Sequence, residues 1–130
     1  MVDLIYLDTH VVVWLYAGEL ELFGNRARRD LEECDLLISP MVTLEIQYLH
    51  QTGRLTVEAD PMIDDLRRTL DLRISDIPFH QVISRSLGNI WTRDPFDRLL
   101  IAQARVEGLT VITNDPNWSH PDYAIDVIWK

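Results

Sequence analysis

The chain has 130 residues, 47% of them hydrophobic and 25% charged, which fits one soluble globular domain and leaves no room for two at roughly 100–200 residues per domain. Twenty-one acidic residues against twelve basic ones give a net charge of −9 and an isoelectric point near 4.7. That balance argues against bulk electrostatic binding to nucleic acid or an anionic membrane, while leaving open a local cationic patch or a site where carboxylates gather to hold cations.

Met1-Val2-Asp3 opens the chain without a basic, signal-like region, so no leader peptide is expected. Leu4–Leu7 reads as a buried strand bounded by Asp8. Thr9-His10 leads into a short helix over Val11–Tyr16 that ends near Gly18. The apolar run Val11–Ala17 is far short of the ~20 residues that span a bilayer. Asn25–Cys34 is a charged helix with Ala27, Leu31 and Cys34 on one side. Cys34 is the single cysteine, which excludes an intramolecular disulfide and a multi-cysteine zinc site and suits a reduced cytoplasm.

Leu36–Ile38 reads as a second strand. Pro40 stands at a helix start, and that helix runs to Thr52 with Gly53 as its stop. Asp60-Pro61 begins a helix reaching about Asp71, Leu72–Ile74 is a short strand, and Phe79–Leu87 is a further helix. Asp94-Pro95 opens a strong helix over Pro95–Glu107, closed by Gly108. Leu109–Thr113 is a strand, Asn114–Asn117 a turn cluster, and Tyr123–Trp129 the last strand. Strands alternating with helices predict an α/β sandwich, three layers deep, with a mostly parallel central sheet flanked by helices.

Four acids stand out by position. Asp8 ends the first strand, and Asp115 follows the strand that ends at Thr113. In open parallel sheets functional groups gather outside the carboxyl ends of the strands, so these two can meet; each can also simply cap its turn. Glu45 shares a helix face with Val42, Ile46 and Leu49. A carboxylate in an apolar stripe must be paired, protonated or metal-bound. Asp94 is the natural N-cap of the helix that follows, whereas Asp97 lies near the apolar face of Phe96, Leu100 and Ile101. Converging carboxylates repel unless a cation joins them, and an all-oxygen acidic cluster suits Mg²⁺ or Mn²⁺ better than zinc. The four histidines form no metal-spaced pair, and His10 can line the site.

Together these residues resemble the PIN-domain family of metal-dependent ribonucleases, and within it the VapC-like toxins of type II toxin–antitoxin systems. The resemblance rests on Tyr6-Leu7-Asp8-Thr9-His10, on Ser39 through Glu45-Ile46 to Gly53-Arg54-Leu55, and above all on Arg93-Asp94-Pro95-Phe96-Asp97-Arg98-Leu99-Leu100-Ile101-Ala102-Gln103-Ala104. Thr113-Asn114-Asp115 and Val127-Ile128-Trp129 complete it. One departure is Thr92, where the subgroup often carries histidine.

The resemblance implies a single PIN-like domain over residues 1–130, acting as a Mg²⁺-dependent endoribonuclease in the cytoplasm. Its catalytic and metal-binding acids would be Asp8, Glu45, Asp97 and Asp115. Asp94 would give capping or outer support, with Thr9 and Thr113 as hydroxyls near the acids and Asn114 beside them. Arg93 and Arg98, flanking the acidic motif, are the candidates to hold RNA phosphates. It also implies a cognate antitoxin, a homodimer and no membrane contact. Trp14, Trp91, Tyr16 and Tyr48 exceed what a domain this small easily buries, and any exposed remainder would serve those partners.

The rivals are few. A haloacid-dehalogenase-type phosphatase needs a second acid two residues after the first, where His10 stands. A response-regulator receiver needs a lysine after a late strand, and the one lysine is Lys130. The alternative from another class is a catalytically idle PIN-fold module that binds RNA or a protein partner.

Overall fold

In the computed structural model the described residues are 3–88, 92–119 and 127–128. Five parallel strands form one sheet in the order β3-β2-β1-β4-β5: β1 (Leu4–Leu7), β2 (Asp35–Ile38), β3 (Arg73–Ile74), β4 (Val111–Ile112) and β5 (Val127–Ile128). Helices α1 (Thr9–Ala17), α2 (Asn25–Glu33), α3 (Pro40–Gln51), α4 (Ala59–Leu70), α5 (Phe79–Ser86) and α6 (Pro95–Glu107) flank it. The result is the expected α/β sandwich. No described helix is long and apolar enough to cross a membrane.

The pairing register brings the critical ends together. Leu7 of β1 lies opposite Ile112 of β4, and the Asp8 amide donates to the Ile112 carbonyl at 3.2 Å. The chain leaves β1 toward β2 on one side, while β4 pairs on the other. The switch of direction therefore falls between β1 and β4, where parallel sheets open a crevice at their carboxyl ends. Ile5, Leu7, Leu36, Ile38, Val111 and Ile112 bury this sheet centre with Val11, Val42, Ile46 and Ile101 from the helices.

Some boundaries differ from expectation. Helix α1 begins at Thr9 rather than Val11, because the Asp8 carboxylate caps it by accepting from the Thr9 amide at 2.7 Å. Helix α2 ends at Glu33 and α4 runs Ala59–Leu70, each within a residue or so of its predicted limits. Strands β3 and β4 are shorter than read, because only Arg73–Ile74 and Val111–Ile112 find ladder partners. Two 3₁₀ turns, Leu20–Leu22 and Pro116–Ser119, lie in stretches not read as helical. Of the predicted last strand, Val127–Ile128 is described and pairs with β4; the rest of it, and Trp91, lie outside the described residues.

A buried polar chain ties α6 to the sheet and to α3. The Ser39 hydroxyl donates to Gln103 Oε1 at 2.8 Å, and Gln103 Nε2 donates to Ser75 Oγ at 2.8 Å. Ser75 and Tyr6 both donate to Glu107 Oε1 at 2.6 Å. Burial and the Glu107 carboxylate push the Tyr6 hydroxyl well above its ordinary pKa, keeping it a donor. Ser39 also N-caps α3 by accepting from the Met41 amide at 3.1 Å. Gln103, 3% exposed, thus fixes the start of α3 against α6.

Replacing Gln103 with leucine strands the Ser39 donor and removes the bond that Ser75 Oγ accepts. An unpaired buried group costs about 1–3 kcal/mol, so a loss near 2–3 kcal/mol is expected in urea unfolding. A loss under ~0.5 kcal/mol would mean that the chain is not holding these elements.

Candidate metal centre

A cavity of about 460 Å³ opens at the carboxyl ends of β1 and β4. Asp8, Thr9, His10, Val13 and Trp14 line it from the end of β1 and from α1, and Glu45 and Leu49 from α3. Arg54 and Leu55 follow α3, Asp94 and Asp97 sit at the start of α6, and Asp115 lies beyond β4. All four acids singled out by position, and Asp94 with them, therefore face one space. A larger groove, of about 640 Å³, lies against α2 and β2, but among the described residues Glu32, Glu33 and Asp35 are its only carboxylates.

Each acid is placed by a local cause. Asp8 is 5% exposed. Its Oδ1 accepts from the Thr9 amide at 2.7 Å, and its Oδ2 accepts from the Thr113 hydroxyl at 2.7 Å. His10 Nδ1 stands 3.1 Å from the same Oδ2. The Asn114 amide points at His10 Nε2 at 3.5 Å; with Nε2 accepting, Nδ1 carries the hydrogen toward Asp8. Thr113, 1% exposed, also accepts from the Asp115 amide at 3.1 Å. One buried hydroxyl thus joins the backbone of Asp115 to the carboxylate of Asp8.

Glu45 is half-buried between Val42 and Ile46, and the Thr9 hydroxyl donates to its Oε1. Burial raises its pKa, the Thr9 hydrogen bond lowers it, and the Asp8 and Asp94 carboxylates raise it again. Asp94 Oδ1 accepts from the Phe96 amide at 2.9 Å and the Asp97 amide at 3.4 Å, so it both caps α6 and faces the cavity. Asp97 is pushed up to about 7, first by burial and then by the carboxylates of Asp94, Asp8, Glu45 and Asp115.

The sequence-based candidates divide. Asp8, Thr9, Glu45, Asp94, Asp97 and Asp115 line the cavity, Thr113 stands behind it, and Asn114 touches it through His10. Arg93 is exposed and does not line it. The Arg98 guanidinium donates to the carbonyls of Ser86 at 3.1 Å and Leu87 at 3.4 Å, closing the end of α5. Arg54, given no role on sequence grounds, does line the cavity. Its signal was its position just past Gly53, where φ of +80° turns the chain back toward the site.

The donor set is carboxylate oxygen with hydroxyls behind it, which fits a hard divalent cation. The mutual repulsion that lifts Asp97 is what such a cation would relieve. Among the described residues, no three histidine, cysteine, aspartate or glutamate side chains stand close enough in this arrangement to grip a single ion.

The sequence matches the PIN domain over residues 5–123. No curated protein sequence matches it significantly. Among solved structures the fold is similar to VapBC2 from Rickettsia felis bound to a promoter DNA fragment, with TM-score 0.68 and 16% identity over 98% of this chain and 99% of that one. It is also similar to a toxin–antitoxin complex from Klebsiella pneumoniae, with TM-score 0.62 and 18% identity over 95% of each chain. VapBC-1 from nontypeable Haemophilus influenzae gives TM-score 0.61 and 13% identity over 96% of each chain. The chain belongs to the PIN-domain family.

The raised Asp97 has a stability consequence. Folded, it keeps its proton until about pH 7; unfolded, it releases it near 3.8. Its contribution to stability is therefore complete below about pH 4 and lost as pH rises through about 7. In EDTA, Asp97→Asn is expected to melt progressively higher than wild type as pH climbs from 4 to 8. A difference that stays constant across this range would show that Asp97 is not crowded by its neighbours.

Proposed function

We propose that this member of the PIN-domain family is a Mg²⁺-dependent endoribonuclease, the toxin of a type II toxin–antitoxin pair working in the cytoplasm. The observation that carries the reading is the gathering of Asp8, Glu45, Asp97 and Asp115 on one cavity at the switch point of a parallel sheet. Family membership supports the nuclease class. The similar fold from Klebsiella pneumoniae belongs to a toxin–antitoxin complex, which supports the toxin role.

Asp8 and Asp97 would be the main ligands of Mg²⁺ or Mn²⁺, with Glu45 and Asp115 completing the site. A divalent cation, when bound, acidifies water and stabilises charge on a phosphodiester in transit. The chain's own residues prepare for that chemistry. Thr113, the Thr9 amide and His10 hold Asp8 in one rotamer and keep it a good acceptor. The Thr9 hydroxyl donates to Glu45 and aims it into the cavity, where it would hold the cation or orient the water. Asp97, pushed up to about 7 by burial and its acidic neighbours, would offer its carboxylate to a cation held there.

Exposed apolar side chains are available for partners, Leu44 and Tyr48 on α3 and Phe79 on α5 among them. They support an antitoxin contact and a homodimer. One observation favours the second reading, an idle PIN-fold module: the described acids do not yet form a three-ligand grip.

Purified protein decides between them. Labelled RNA is expected to be cut in Mg²⁺ or Mn²⁺, to stay whole in EDTA, and to be cut at least about a hundredfold more slowly by Asp8→Asn, since even outer-shell changes at metal sites cost 10–100-fold. RNA binding without cleavage in any metal would favour the idle module. Equal cleavage by Asp8→Asn, with folding verified by circular dichroism, would remove this cavity from consideration.

A further inference from the structure

An acidic cavity poses a problem for a polyanionic substrate. Its walls carry Asp8, Glu45, Asp94, Asp97 and Asp115, and its lining includes one arginine, Arg54. An arginine beside that many carboxylates would ordinarily fold onto one of them. Here, among the described residues, no ion pair involves Arg54. Other arginines are used locally: Arg68 pairs with Asp65, Arg73 with Asp35 and Asp71, and Arg98 holds the end of α5.

The backbone under Arg54 is fixed rather than loose. The Gly53 amide donates to His50, and the amides of Arg54 and Leu55 both donate to the Leu49 carbonyl, at 2.9 and 3.3 Å. His50 Nδ1 meets the Leu55 carbonyl at 3.0 Å. The positive φ of Gly53 makes this reversal possible. A guanidinium on a rigid turn, exposed at the mouth of the cavity, has its charge free for an incoming anion. Its planar fork matches a phosphate with two parallel hydrogen bonds.

We propose that Arg54 is the phosphate-binding residue of this site, holding an RNA backbone phosphate beside the scissile bond, the role that Arg93 and Arg98 were expected to play. This rests on the ribonuclease reading above. A cation at the rim offsets the repulsion between the acids and the strand, and it sets the register of the strand against the carboxylates. The contact is to phosphate, so it positions the strand without reading its sequence.

The test measures binding of a labelled single-stranded RNA in an Asp8→Asn background, where the strand stays intact, and cleavage by the otherwise wild-type chain. Arg54→Gln is expected to weaken binding about tenfold, the scale of one charge-assisted contact, and Arg54→Lys to recover part of that. The slope of log affinity against log salt should fall by about 0.7, one phosphate on a single strand. A methylphosphonate scan adds specificity: one neutralised position should cost the Arg54-containing protein about tenfold and the Gln variant nothing. Magnesium affinity should be unchanged.

If Arg54→Gln binds RNA as tightly as its parent while the wild type still cuts, the Arg54 assignment falls and the ribonuclease reading stands. Arg54-dependent binding without cleavage by the wild type removes the nuclease and the placement beside a scissile bond, and keeps Arg54 as the phosphate contact alone. A chain that neither binds nor cuts RNA overturns both. A loss of magnesium affinity or of binding to a protein partner, with RNA affinity intact, also overturns the assignment.

Discussion

Like charges held close together are the constraint around which this molecule is arranged. Five carboxylates line one cavity of about 460 Å³, and their mutual repulsion, added to burial, lifts Asp97 to about 7. A chain free to relax would spread them. The fold prevents this by fixing the acids to separate rigid elements: Asp8 to the end of β1, Glu45 to α3, Asp94 and Asp97 to the start of α6. The parallel pairing of Leu7 with Ile112 sets the separation of the first and last of the series, because Asp8 and Asp115 each follow one of those strands closely.

The supports are hydrogen bonds from neutral groups. Thr9 serves two carboxylates, its amide bonding Asp8 and its hydroxyl Glu45. Thr113 bridges Asp8 and the Asp115 amide. Deeper in the sheet, Ser39, Gln103 and Ser75 lock the start of α3 to α6, and so set how Glu45 and Asp97 approach each other. Hydroxyls and amides orient carboxylates while leaving most of their charge unneutralised. A lysine or arginine in the same places would have cancelled it, and with it the site's demand for a cation.

Much of this was readable from residue order. Asp8 and Asp115 follow apolar runs, and strand ends of a parallel sheet meet at a crevice, so their convergence followed from the strand pattern. Glu45 broke an otherwise apolar stripe, and Val42 and Ile46 beside it are fully buried. Asp94 announced itself through Pro95. Other features depend on three-dimensional neighbours that no local pattern carries. Gln103 looked like one more helical polar residue until it faced Ser39 and Ser75 across 64 and 28 positions. Arg98 sits within the acidic motif, yet its side chain runs to the end of α5. Arg54 lies apart from that motif in sequence and reaches the cavity through a glycine turn. β3 and β4 were read at their places but too long, since strand length is decided by which neighbours complete the ladder.

The net charge of −9 thus has a local part and a general one. The general acidity disfavours indiscriminate nucleic-acid binding, and the local part creates a demand for a cation. With its pKa pushed up to about 7 by burial and the neighbouring carboxylates, Asp97 still binds a proton near neutral pH that a cation held there would displace. Magnesium titration by calorimetry at pH 7, in two buffers of different ionisation enthalpy, measures this directly. Proton release on binding, abolished by Asp97→Asn, is the expected result; binding with no proton release, or no binding at millimolar magnesium, would contradict a crowded carboxylate site built to receive a divalent ion.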